Sequence, residues 1–120
     1  PKEMDRPFLI LDADKNNHLK APSLKLVWEN LKGWKLDLNV PKGEHFAFTD
    51  YIAFIPELEK QLDLSDQMIK QSIGTTQDSK RVIQSLRTYI TAFFDEHLQG
   101  KPQKILDGPS SNHPDVKFVR

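Results

Sequence analysis

Three stretches of this sequence bring together residue types that can do chemistry. Asp12-x-Asp14-x-Asn16 offers oxygens at the first, third and fifth positions of an EF-hand calcium loop, with Leu19 where that loop takes an apolar residue. Two positions fail. The sixth, which needs glycine for a sharp turn, is Asn17, and the twelfth, which needs a bidentate Glu, is Ser23. Residues 12–23 therefore read as a solvated loop, with a degenerate calcium loop as the alternative. Near the far end, Gly108-Pro109-Ser110-Ser111-Asn112 approaches the Gly-x-Ser-x-Gly turn of serine hydrolases. It lacks the second glycine and does not stand between a strand and a helix, so no serine nucleophile is expected in these 120 residues.

The third candidate is His45. A lone loop histidine is usually just solvated; what singles this one out is its address, five residues after an alternating strand and in a short loop containing Gly43. In a parallel α/β sheet, the loops at the carboxyl ends of the strands carry ligand and chemistry, and a general base belongs there. His18 in a polar loop, His97 in the last turn of a helix and His113 in the tail lack that address and read as structural or solvated.

These residues need elements to position them. Phe8-Leu9-Ile10-Leu11 is a continuous apolar run, the pattern of a parallel strand buried on both faces. Ser23 can cap a helix with Leu24, Val27, Trp28 and Leu31 at spacings of three and four, stopped by Gly33. Trp34 to Val40 alternates strictly, which predicts a strand open to water on the side of Asp37 and Asn39, near a sheet edge. Strand, helix and strand make a βαβ unit. From Tyr51 to Ile73 the pattern predicts short helices broken by Pro56 and restarted at Ser65. Thr75 and Asp78 approximate a capping box for a long helix whose stripe runs Val82/Ile83, Leu86, Tyr89/Ile90, Phe93/Phe94, His97/Leu98, ended by Gly100. The tail, residues 101–120, holds three prolines and little periodicity.

Composition bounds what such a chain can be. At 120 residues, with 28% charged and 38% apolar side chains, it is one folded domain or part of one. Lys+Arg and Asp+Glu number 17 each, a balance that argues against nucleic-acid arms and polybasic membrane anchors. No apolar run approaches the roughly 20 residues of a membrane span. With no cysteine, thiol nucleophiles, disulfide scaffolds and Cys-type zinc sites are excluded, and the compartment stays open. A parallel apolar strand needs neighbours on both sides and the chain offers one. The chain also begins at Pro1 without a methionine or signal-peptide pattern, which reads as a cut end. Most of the sheet is expected to precede Pro1.

The residues from Arg6 to Asp50 resemble the end of an α/β-hydrolase, especially the branch of platelet-activating-factor acetylhydrolases and dienelactone-hydrolase-like enzymes. The matching pieces are Arg6-Pro7-Phe8-Leu9-Ile10-Leu11, Trp28-Glu29-Asn30-Leu31-Lys32-Gly33 and, above all, Gly43-Glu44-His45-Phe46-Ala47-Phe48-Thr49-Asp50. Phe93-Phe94-Asp95-Glu96-His97-Leu98 resembles the end of the closing helix, and Leu106-Asp107-Gly108-Pro109-Ser110 the tails of bacterial members.

The resemblance implies an α/β fold: a three-layer, mostly parallel sheet, of which this chain is the C-terminal portion. Residues 1–50 would be strand, helix, strand and His loop, 51–74 inserted helices, 75–100 the closing helix and 101–120 the tail. It implies a Ser-Asp-His triad without a cofactor, His45 being the histidine, and a nucleophile and oxyanion hole that lie before Pro1. Alignment puts one common position of the acid at Asn16, which cannot stabilise an imidazolium as a carboxylate does. The acid is then expected upstream, with Asp14 as the fallback. The partners implied are the missing N-terminal part of the domain and a small-molecule or lipid-like ester, its pocket bordered by Phe46, Tyr51 and Phe54. The rival from another class is a non-catalytic helical module using the stripe from Val82 to Leu98.

Overall fold

The computed structural model describes residues 2–13, 16–73 and 79–120, with side chains except at 45, 51, 52, 56, 72 and 73. Strand β1 (Phe8–Ala13), helix α1 (Pro22–Asn30) and strand β2 (Lys35–Val40) come first, as the sequence predicts. A 3-10 turn (His45–Phe48) follows, then helices α2 (Tyr51–Leu62), α3 (Asp66–Ile73) and α4 (Ser79–Gln99), and a short strand β3 (Lys117–Val119). The sheet order is β1-β2-β3, with β1 parallel and β3 antiparallel to β2.

Register divides the sheet into two faces, because paired residues of parallel strands point the same way. Leu9 pairs with Leu36, Leu11 with Leu38 and Ala13 with Val40. This face packs on α4, whose buried residues Val82, Ser85, Tyr89 and Ala92 recur at three and four. Leu38 and Val40 are each 1% exposed, and burying such side chains stabilises the fold by about 1.5–3 kcal/mol apiece. Trp34 extends the contact to Phe93 and His97, with ring centroids 5.7 and 4.4 Å away. The tail is tied to the same helix: His113 Nδ1 meets Ser85 Oγ at 2.7 Å, and Arg81 forms a two-pronged pair with Asp115.

On the other face Ile10 pairs with Asp37 and Asp12 with Asn39. This side is covered by the 16–21 loop and, beyond it, by α1. His18 lies between Asp37 and Trp28, stacked on the indole at 4.0 Å. Lys35 Nζ donates to the carbonyls of Trp28 and Leu31 at the end of α1, Trp28 O also accepting from Leu31 N. Helices thus cover both sides, giving three layers.

Four expectations are corrected. Strand β2 is not open to water on its polar side, since Asp37 is fully buried and Asn39 is 4% exposed; both are kept there by the hydrogen bonds described below. It is also the central strand, because three residues of the aperiodic tail pair with it. Helix α1 begins with Pro22 at its first position, not with a Ser23 cap, and ends at Asn30 before Gly33. Gly33 has a different role: a Cβ there would lie 2.0 Å from the carbonyl oxygen of Asp5, so only glycine allows this strand-like approach. Helix α2 runs through Pro56, which costs one backbone hydrogen bond without breaking the turn geometry. The restart at Ser65 holds, its Oγ accepting from Met68 N at 3.4 Å. The capping box at Thr75 and Asp78 lies outside the described residues.

Candidate active site

Strand β2 ends at Val40, and Gly43 N donates to Val40 O at 2.9 Å to close the turn that follows. A Cβ on Gly43 would sit 3.2 Å from Val40 Cγ1 and 3.3 Å from Ala47 Cβ, tighter than ordinary contact. The small residue lets the chain fold back at once, and His45 opens the 3-10 turn. Ala47, with no exposed surface, anchors that turn in the core, and its N–H donates to Glu44 O at 2.8 Å. Thr49 Oγ1 donates to Phe46 O at 2.8 Å and secures the far end. The backbone of His45 is thus held at the carboxyl end of the sheet, while its side chain lies outside the described residues.

Beside this turn is a cavity of about 480 Å³, lined by Leu11, Asp12 and Ala13 of β1, by Asn16, and by Glu44, Phe48 and Thr49 around His45. Its size suits a small organic ligand. The polar part of its wall is a buried network. Asn39 Nδ2 donates to Asp12 Oδ1 and, at 3.3 Å, to Asn16 O, tying β2 to β1 and to the loop beyond. Two residues earlier on β2, Asp37 Oδ2 accepts from the backbone N–H of His18 at 3.0 Å and meets its ring Nδ1 at 2.5 Å. A carboxylate can only accept, so Nδ1 carries the hydrogen.

Burial pushes the Asp12 carboxyl up from its ordinary 3.8 to about 7. The Asn39 hydrogen bond works against that rise, and the neighbouring carboxyl of Asp37 adds to it.

Of the residues singled out from the sequence, the structure brings the His45 turn to the cavity and leaves Phe46 and Phe54 42% and 59% exposed. Asp14 and the side chain of Tyr51 lie outside the described residues. Of the metal spacing, Asp12 belongs to β1 and its Oδ1 is bound by Asn39, while the central Asp14 lies outside the described residues. The rival stripe on α4 is divided, with Val82 and Tyr89 buried in the core and Ile90, Phe94 and Leu98 exposed. His18, Asp37 and Asn39 were missed as a unit. The signal was there in Asp37-x-Asn39 sharing one strand face, in phase with an Asp at the end of the preceding strand.

No family model matches the chain. It is 27% identical over 123 residues to a protein of Arthroderma benhamiae named probable 1-alkyl-2-acetylglycerophosphocholine esterase, covering 98% of this chain and 32% of that protein. Among solved structures, a ferulic acid esterase from Streptomyces cinnamoneus superposes with a TM-score of 0.81 at 32% identity, covering 99% of this chain and 35% of that one. The chain spans about a third of the length of each. Both are esterases, in agreement with the α/β-hydrolase resemblance of the sequence, and the described portion has the α/β fold of the esterase structure.

Proposed function

We propose that these residues are the C-terminal portion of a serine carboxylic-ester hydrolase, in which His45 is general base and then general acid. The observation that carries this reading is the His45 turn, anchored at the carboxyl end of β2 beside the cavity that β1 helps to line. His45 takes the proton from the serine hydroxyl during attack on the ester carbonyl and delivers it to the departing alkoxide. The serine and the oxyanion hole come from the two thirds of an esterase that this chain does not span.

The two relatives are named for an acetyl ester of an alkyl glycerophosphocholine and for an ester of an aromatic acid, which supports an ester carbonyl on an apolar group as substrate. Phe46 and Phe54, both exposed and outside the cavity's lining, would border its apolar part once the rest of the domain is in place, with Tyr51 as the third candidate. Asp12 stands at the strand end where a triad acid could be sought, yet a carboxyl pushed up to about 7 and engaged with Asn39 is poorly suited to hold an imidazolium. The acid therefore comes from outside this chain, with Asp14 as the fallback.

In the full-length protein, His45→Ala should lower kcat by at least ~10³-fold, as loss of a triad base does. The assay is hydrolysis of an acetyl ester by wild type, the variant and the isolated 120 residues, which should be inactive. An unaffected variant, or turnover by the isolated chain, would end this reading.

A further inference from the structure

Two buried oxygens of the polar network have no donor among the described residues: Asp12 Oδ2 and Asp37 Oδ1. The other oxygen of each carboxyl is served, Asp12 Oδ1 by Asn39 and Asp37 Oδ2 by His18. Register sets the two side chains diagonally on one face of adjacent strands, Asp12 opposite Asn39 and Asp37 opposite Ile10. Buried polar atoms are rarely left orphaned, and here one proton mends both. Placed on Asp12 Oδ2, it is donated to Asp37 Oδ1, and every oxygen of the pair then has a partner.

We propose that Asp12 and Asp37 share one proton across the β1–β2 boundary, and that Asp12 is thereby a positioning residue holding the cavity wall against the His45 turn. The surroundings agree. Asp12 is 7% exposed and Asp37 fully buried, so two adjacent negative charges would be poorly solvated. From β2, Asp12 is faced by Asp37 and Asn39; from the 16–21 loop, His18 is spent on Asp37; across the cavity stands Glu44, another acid. Lys35, the cation of this strand face, is taken up by carbonyls at the opposite end of β2. Asp14 and Lys15 lie outside the described residues.

The pair has a consequence that can be measured. Asp12 is held near 7 in the folded chain against 3.8 for a free carboxyl. Between those values the folded state keeps a proton that the unfolded state has lost, so stability falls as pH climbs from about 4 to about 7 and levels off above. Asparagine at 12 keeps the shape, can donate Nδ2–H to Asp37 Oδ1, and does not titrate.

The test uses full-length protein with ¹³C-labelled aspartate. One carboxyl signal should titrate near pH 7 and vanish in Asp12→Asn. The thermal midpoint of Asp12→Asn should gain on wild type as pH rises through that window, whereas Asp12→Leu, which cannot donate, should lie below wild type throughout. If every aspartate carboxyl titrates below about 5, near the ordinary range, the shared proton is refuted whatever the variants do.

The positioning role rests on the ester-hydrolase reading and has its own readout. The kcat of wild type should fall above about pH 7 more steeply than that of Asp12→Asn. Superimposable pH profiles would remove the positioning role. Absence of esterase activity would sink the functional reading and the positioning role with it, while the carboxyl titration still decides the pair.

Discussion

Alternate residues of β2 live in two different interiors. Leu36, Leu38 and Val40 are buried in an apolar core against α4, where contact is non-directional and depends on volume. Asp37 and Asn39, buried to the same degree, face a polar interior beneath the 16–21 loop, where each atom depends on one partner at one distance. Equal burial therefore does not mean equal tolerance. The apolar side can relax around a change of shape. The polar side loses a specific partner when a donor or acceptor is removed.

Three substitutions probe this contrast, in falling order of effect. Asp37→Ala leaves two buried donors of His18, the backbone N–H and the ring Nδ1–H, without their acceptor and should cost about 4 kcal/mol, at roughly 1–3 kcal/mol for each. Denaturant unfolding of the full-length protein measures it, and a loss under about 1 kcal/mol would mean that the two interiors do not differ as described. On the opposite face, Leu38→Ala should cost about 3 kcal/mol by leaving a cavity, while Leu38→Met should stay under about 1.5 kcal/mol. A Met variant as damaging as the Ala variant would show that the apolar face, too, is fixed by shape. The mildest is Ser85→Ala, the polar contact within the apolar half. It leaves His113 Nδ1 without its partner and should cost about 1–2 kcal/mol, read as a lowered Tm.

The apolar interior was largely legible in the sequence and the polar one was not. Leu36, Leu38, Val40 and the repeats of α4 announce themselves by period, since each apolar residue seeks any apolar neighbour. Asp37 and Asn39 read as water-facing because alternation normally puts polar residues outside. What draws them inside are His18 and Asp12, 19 and 27 positions earlier, which no local pattern marks as partners. The address of His45 was legible for a third reason: strand ends and short turns are local features, and Gly43 marks the turn. Strand β3 escaped notice because three residues carry no period; its pairing is dictated by the edge that β2 offers. Pro56 misled in the opposite sense, as the lost hydrogen bond is small beside the packing that carries α2 through it, Ile55 being buried in the core.

Strand β2 meets its two neighbours on unequal terms. Strand β1 lies one short crossover away, whereas β3 arrives only after three helices have been laid down. Closing the longer loop carries the larger entropic cost. Of the two pairings, that of β3 is therefore the more costly to close, and the packing of the tail has to offset it. Its fastenings are several: His113 on Ser85, Asp115 on Arg81, Leu106 and Val116 in the core, Phe118 against Tyr89, and three residues of ladder. The tail thus does for β2 what no side chain can: it occupies the backbone donors and acceptors along one edge, so that edge is closed to pairing with another chain.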